Sequence, residues 1–231
     1  MRFISIDIGN TYPNVGIFEN GSMKSVVALE NYQQDKSDII LVSSVIKETP
    51  IKGSFELKNY FKENHFFEMR VNYTNSLGMD RLVCAYKAYF KNKNQKTLLI
   101  DAGTFMTIDL VDNEGFRGGF IFPGISTFLN SYSKGDLLPK LNYKKINSDD
   151  LPHSTEEAIL SAVNIYLKSC ILDIIKKTSP NRIVLTGGGA ETVKKIIVEI
   201  NLGIEILLDP HFLHQAHFLI YSRHLKHPST P

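Results

Sequence analysis

Phe3-Ile4-Ser5-Ile6-Asp7-Ile8-Gly9-Asn10-Thr11 and Thr97-Leu98-Leu99-Ile100-Asp101-Ala102-Gly103-Thr104 share one pattern: a β-rich apolar run ending in an aspartate, a glycine and a hydroxyl. A second apolar run follows each, Val15-Gly16-Ile17-Phe18 in the first copy and Thr107-Ile108-Asp109-Leu110-Val111 in the second. Turn residues then close each unit, at Glu19-Asn20-Gly21 and at Asp112-Asn113-Glu114-Gly115. Both copies read as β-hairpins, and their recurrence reads as an internal duplication.

Between the hairpins, Ile39-Ile40-Leu41-Val42-Ser43-Ser44-Val45 has the composition of a buried strand. Leu82, Ala85, Tyr86 and Tyr89 recur at helical spacing. In the second half, apolar residues keep helical spacing from Ser154 to about Lys177, and Ser154 followed by Glu157 forms a capping box. Arg182-Ile183-Val184-Leu185-Thr186-Gly187-Gly188-Gly189 is a strand ending in glycines, with a helix expected from Ala190. The fold class is therefore α/β. Residues 1–97 and 98–231 are expected to form two similar halves, each a mixed sheet flanked by helices, with a cleft between them.

At 231 residues, with 43% hydrophobic and 22% charged residues, the chain has the composition of a soluble globular protein. Its 26 basic and 24 acidic residues leave a formal charge of +2 and no basic block to track a phosphate backbone, which argues against nucleic acid as a partner. Asp7 arrives before any apolar stretch long enough for a signal peptide, and no later run is expected to span a membrane. A cytoplasmic location is the expectation. Cys84 and Cys170 lie in apolar helix-like segments and read as reduced, buried thiols.

A glycine in a tight turn lets the backbone approach a phosphate, because no Cβ blocks the contact and neighbouring N–H groups face the anion. The adjacent Thr or Asn adds a donor. An aspartate opening such a turn suits a hard cation and its waters. One copy alone is more economically an ordinary hairpin turn. Two copies, with Thr186-Gly187-Gly188-Gly189 between a strand and a helix, point to a nucleotide fold. Gly78-Met79-Asp80-Arg81 opens the helix through Tyr89. There Asp80 either complements the helix dipole or, in a phosphotransferase, accepts a proton from an attacking hydroxyl. Arg81 is either a surface residue or an anchor for an anionic substrate.

The paired turns with the Thr-Gly-Gly-Gly motif resemble the general pattern of the actin, Hsp70 and sugar-kinase superfamily, whose halves are ribonuclease-H-like. A closer resemblance is to the type III pantothenate kinases. It rests on Asp7-Ile8-Gly9-Asn10-Thr11, Gly78-Met79-Asp80-Arg81, Asp101-Ala102-Gly103-Thr104, Gly118-Gly119-Phe120-Ile121-Phe122-Pro123-Gly124 and Thr186-Gly187-Gly188, in that order. Ser43-Ser44-Val45 and Leu138-Pro139 are lesser landmarks, and the match weakens after Leu208. The resemblance implies ATP-dependent phosphorylation of pantothenate, the first step of coenzyme A synthesis. It makes Asp80 the proton acceptor and places Gly78, Met79, Asp80, Arg81 and Thr155 at the substrate. Asp7, Ile8, Gly9, Asn10, Thr11 and Thr104 fall at ATP with its Mg²⁺, and Asp101 at a monovalent cation, potassium or ammonium. A homodimer is implied as well.

Phe105-Met106, Met79 and Tyr12-Pro13 depart from the family's usual residues, and bulk beside a phosphate turn narrows a nucleotide pocket. Two other readings share the turns: a kinase-like protein kept for regulation, and an ATPase of the actin or Hsp70 kind. His211, His214 and His217 do not converge as metal ligands on one helix, and a solvated or half-buried helix face is expected there. Asp149-Asp150 reads as a solvated loop and residues 224–231 as a frayed end.

Overall fold

The seven residues Arg2–Ile8 form β1, whose Ile4, Ile6 and Ile8 point to one side and Phe3, Ser5 and Asp7 to the other, as strand periodicity requires. In this computed structural model residues 2–9, 11–44, 51, 53–91, 94–146, 150–200 and 202–226 are described. Two units are distinguished. One comprises Met1–Asn94, Val111–Gly118 and His211–Pro231, and the other Gln95–Leu110 and Gly119–Pro210.

In the first unit β1 is central. β2 (Asn14–Glu19) and β3 (Ser22–Ala28) follow as antiparallel neighbours, and β4 (Ile39–Ser44) and β5 (Ser54–Phe55) add in parallel, giving the order β3-β2-β1-β4-β5. A small three-stranded sheet comes next, β6 (Phe61–Lys62), β7 (His65–Phe66) and β8 (Met69–Arg70), before helix α1 (Met79–Lys91). Ile4, Ile6 and Ile8 pack with Val15, Ile40 and Val42 on one face of the large sheet.

The second five-stranded sheet repeats the design. β9 (Thr97–Ala102), β10 (Phe105–Asp112) and β11 (Gly115–Pro123) are followed by α2 (Ile125–Ser131), α3 (Thr155–Thr178), β12 (Arg182–Thr186), α4 (Ala190–Ile200) and β13 (Glu205–Leu208). The order is β11-β10-β9-β12-β13, with β9, β12 and β13 parallel. The two-residue connection at Gly103-Thr104 is one that only antiparallel neighbours allow. This is the order of the first sheet again, so the duplication read from the two hairpins extends to all five strands of each sheet, and the α/β fold class holds.

α3 begins at the expected place. The Ser154 hydroxyl accepts from the Glu157 N–H at 3.2 Å, while the Glu157 carboxylate reaches one residue further back than a standard capping box, to the His153 N–H at 3.1 Å. By length and composition this helix is apolar enough to cross a membrane, which the sequence reading did not anticipate. Its Ile159, Leu160, Val163, Leu167, Ile171, Ile174 and Ile175 instead join the core of the second unit with Leu98, Ile100, Ile183 and Leu185.

Val111–Gly118 and the chain from His211 onward group with the residues before Gln95. The reason is apolar burial. α5 (Phe212–Ile220) and the turn after it bury Phe212, Leu213, Ala216, Ile220, Tyr221 and Leu225, and Phe3 of β1 stacks on Tyr221 with ring centres 4.9 Å apart. Ile220 is fully buried there. Ile220→Ala is expected to lower unfolding stability by about 2–5 kcal/mol, measured by chemical denaturation. A loss under about 0.5 kcal/mol, as at a surface site, would show that this helix is not part of the first unit's core.

Candidate active site

Asp7 is the last polar residue of β1 before the turn, and its strand partners in register are Asn14 on β2 and Ser43 on β4. Burial raises its pKa, the Asp80 carboxylate raises it further, and a hydrogen bond from the Asn14 side chain offsets part of the rise, leaving it at about 6. Asp7 and Asp80, distant in sequence, are thus electrostatic neighbours within the first unit. Ile8 and Gly9 follow at the strand end, Thr11 and Tyr12 are exposed, and Asn10 lies outside the described residues.

Asp80 is the second residue of α1, where the helix dipole favours a carboxylate. The Leu82 N–H donates to the Gly78 carbonyl at 3.1 Å, so Gly78 caps the helix. A Cβ at Gly78 would stand 2.5 Å from Asp80 Oδ1. The glycine therefore clears the space into which the Asp80 side chain folds. Met79 beside it is half-buried.

Arg81 is buried rather than a surface residue. Its guanidinium carbon lies 5.4 Å from the Tyr73 ring centre and 5.9 Å from that of Phe116, both within cation–π range. The Asn72 N–H donates to the Phe116 carbonyl at 2.9 Å, which fixes the strand tip carrying that ring. A guanidinium packed between two aromatic rings is held in a set orientation, as recognition of an anion requires.

In the second unit the turn after β9 packs against the glycines after β12. The Gly189 N–H donates to the Ala102 carbonyl at 2.8 Å. A Cβ at Gly187, whose φ is +84°, would run into the Asp101 carboxylate. The Thr104 carbonyl accepts from the Gly124 N–H at 2.9 Å and from the Thr127 hydroxyl at 2.5 Å. Asp101, Thr104, Gly124 and Gly187 therefore belong to one cluster of turns. Thr155 stands exposed at the first position of α3. The bulk at positions 105 and 106 is divided: Met106 is 1% exposed within the core of this unit, whereas Phe105 is 46% exposed.

The histidines depart most from expectation. His214 and His217 are buried, deeper than the solvated or half-buried face expected, while His211 is half-buried. Ser5 Oγ lies 2.7 Å from Nδ1 of both rings, Ser43 Oγ lies 2.8 Å from His217 Nε2, and Asn14 Oδ1 lies 2.6 Å from His214 Nε2. Burial depresses both imidazole pKa values, to about 4 for His214 and about 3 for His217, so both rings are neutral at pH 7. Among the described residues no group of three or more His, Cys, Asp or Glu side chains forms a metal site. The sequence signal for this cluster was present in Ser5 and Ser43, polar residues inside otherwise apolar strands, since a buried hydroxyl needs a partner.

The raised pKa of Asp7 has a definite sign. The folded chain keeps the Asp7 proton to about pH 6, while the unfolded chain releases it near the ordinary value of 3.8, so this group's contribution to stability falls as pH rises through that window. Asp7→Asn, without nucleotide or Mg²⁺, is expected to melt above the parent chain at pH ~7, with the gap closing by pH ~4. Equal melting temperatures at both pH values would contradict the strained carboxylate.

The type III pantothenate kinase family model matches residues 27–177. A type III pantothenate kinase of Persephonella marina is 26% identical over 266 residues, covering 96% of this chain and 98% of that protein. Another from Flavobacterium johnsoniae is 30% identical over 222 residues, covering 83% and 88%. The solved structure of a Baf-family protein from Campylobacter jejuni matches with a TM-score of 0.64 at 22% identity, covering 95% and 97% of the two chains, which at that identity speaks to the fold. A family match across most of the length, and relatives aligned nearly end to end, place this chain in the type III pantothenate kinase family.

Proposed function

We propose that the chain is an ATP-dependent pantothenate kinase that transfers the γ-phosphate to the 4′-hydroxyl of pantothenate, an early step toward coenzyme A, in the cytoplasm and as a homodimer. The observation that carries this reading is the pairing of Asp80, in the first turn of α1, with Asp7 at the phosphate turn. A general base must stand close to the transferred group, and the influence of the Asp80 carboxylate on the pKa of Asp7 supports that reading.

In this reading Ile8, Gly9, Asn10 and Thr11 approach the phosphates with Asp7, and Thr104 contacts ATP from its own turn. Asp80 accepts the proton of the pantothenate hydroxyl as that oxygen attacks the γ-phosphorus in line. Gly78 and Met79 shape the substrate site, Thr155 contributes a hydroxyl to it, and Arg81 neutralises the substrate's negative end. The donor set fits cations held mainly by ligand oxygens: single carboxylates in glycine turns suit Mg²⁺, which keeps several waters and takes further ligands from phosphate. When bound, Mg²⁺ supplies neutralisation of phosphate charge. Asp101, a carboxylate packed against the Gly187 backbone in the second turn, is the residue for a potassium or ammonium ion in this reading.

Met106 turns into the core, so its bulk does not bear on the turn, whereas Phe105 and Met79, whose bulk motivates the reading of a silent relative, are not buried. The test is ADP release with and without pantothenate, in potassium and then in sodium buffer. Stimulation by pantothenate, greater in potassium, is expected. ADP release indifferent to pantothenate in every buffer would instead mark an ATPase. Asp80→Asn is expected to lower kcat by about 10²–10⁴-fold with the melting temperature little changed. Retention of full turnover by that variant would remove Asp80 as the base.

A further inference from the structure

We propose that the C-terminal helix orients the Asp7 carboxylate through a one-way run of hydrogen bonds, from Ser43 through His217, Ser5, His214 and Asn14, which makes Asn14 and His214 positioning residues for the nucleotide turn. The inference rests on the reading of Asp7 as part of the ATP site. Its geometry lies wholly within the first unit.

The direction of the run is set at the Asn14 end. Asn14 Nδ2 donates to the Tyr12 carbonyl at 3.2 Å, and Asn14 is the register partner of Asp7 on the neighbouring strand, its amide lowering that carboxylate's pKa as a donor does. A carbonyl and a carboxylate only accept, so the amide nitrogen faces them and the amide oxygen faces His214. At 2.6 Å from that oxygen, His214 Nε2 must carry the proton. Its Nδ1 is then bare and accepts from the Ser5 hydroxyl at 2.7 Å. With its hydrogen committed, Ser5 Oγ accepts from His217 Nδ1–H, also at 2.7 Å. His217 Nε2 is bare in turn and accepts from the Ser43 hydroxyl at 2.8 Å. Every step follows from the one before it, and the two rings of α5 end in opposite tautomers.

A buried polar cluster could serve packing alone, yet apolar side chains of similar volume would do that without desolvating two imidazoles, two hydroxyls and an amide. The sheet also makes room for this ring in particular. Gly16 pairs with Ser5 in the strand register, and a Cβ there would come within 2.7 Å of His214 Cγ. The run ends on the carboxylate at the phosphate turn. Support of this kind fixes a ligand-binding side chain in one rotamer, and its loss elsewhere costs about 10- to 100-fold in affinity or activity.

Two substitutions at one position separate positioning from packing. In His214→Gln the side-chain amide nitrogen reaches about as far as Nε2 and keeps the donor to Asn14. In His214→Asn the polar atoms reach only as far as Nδ1, keeping Ser5 and losing Asn14. The Asn variant is expected to lower kcat/KM for ATP, and the affinity for a non-hydrolysable ATP analogue by calorimetry, by about 10- to 100-fold. The KM for pantothenate should change far less, and the Gln variant should recover most of the loss. Equal losses in both variants, or a loss shared by both substrates, would overturn the proposal. Nitrogen-15 NMR of the histidine rings in the unaltered chain provides a second test that needs no variant to fold: His214 should be the Nε2–H tautomer and His217 the Nδ1–H tautomer, both neutral at pH 7. The reverse tautomer at His214 would overturn the run whatever the kinetics. If the parent chain shows no pantothenate-stimulated ADP release, the kinase reading fails, while the NMR and analogue-binding results still decide the run.

Discussion

Asp7 is a carboxylate half removed from water and set beside a second carboxylate, and both conditions oppose its charge. The rest of the site follows from that arrangement. Asp80 is accommodated by the first turn of α1, where unsatisfied N–H groups favour an anion, and by a glycine two residues earlier that leaves room for its side chain. Asp7 has no helix terminus to draw on and depends on Asn14. The pair remains unfavourable without a cation, so a ligand that brings positive charge to it binds N in preference to U and stabilises the fold as it binds. A nucleotide arriving with Mg²⁺ is such a ligand.

The two sheets solve the same problem with different chemistry. In both, the turn aspartate pairs in register with a hydroxyl residue on the parallel neighbour, Asp7 with Ser43 and Asp101 with Thr186. After Thr186 the second sheet continues into Gly187, whose missing side chain gives the Asp101 carboxylate the room it occupies. In the first sheet the hydroxyl of Ser43 is engaged by His217 instead. The duplicated backbone fixes where the two carboxylates stand, and the residues around each give it a different setting.

The backbone was the legible part of the sequence. Alternation in the runs before Asp7 and Asp101, together with the glycines that follow them, led to both hairpins, and a strand ending in glycines led to β12, whereas β11 and β13 were not read. Asp80 was legible as a helix-opening acid, but its proximity to Asp7 depends on packing between segments more than seventy residues apart, which periodicity does not encode. Arg81 read either as a surface residue, as charged residues at helix starts usually are, or as an anchor for an anionic substrate; Tyr73 and Phe116, whose rings lie within cation–π range of it, come from a loop and a strand tip with no pattern linking them. His214 and His217 read as a polar face because their partners, Ser5 and Ser43, lie at the other end of the chain.

The polar run ties the C-terminal helix to the first strand. The family match spans residues 27–177 and includes Asp80, Asp101, Thr104 and Thr155, whereas Asp7, Asn14, Gly16 and His214 all fall outside it. A buried polar run tolerates no partial change: removing one member leaves its neighbours desolvated and unpaired, which costs more than replacing the whole run with apolar side chains. Gly16 adds a steric condition, because only a side chain that accepts a bare backbone beneath it fits at position 214. Ser5, Gly16, Ser43, His214 and His217 therefore form one energetic unit, expected to be non-additive under substitution. A first strand and a last helix coupled in this way must change together if the aspartate of the phosphate turn is to stay in place.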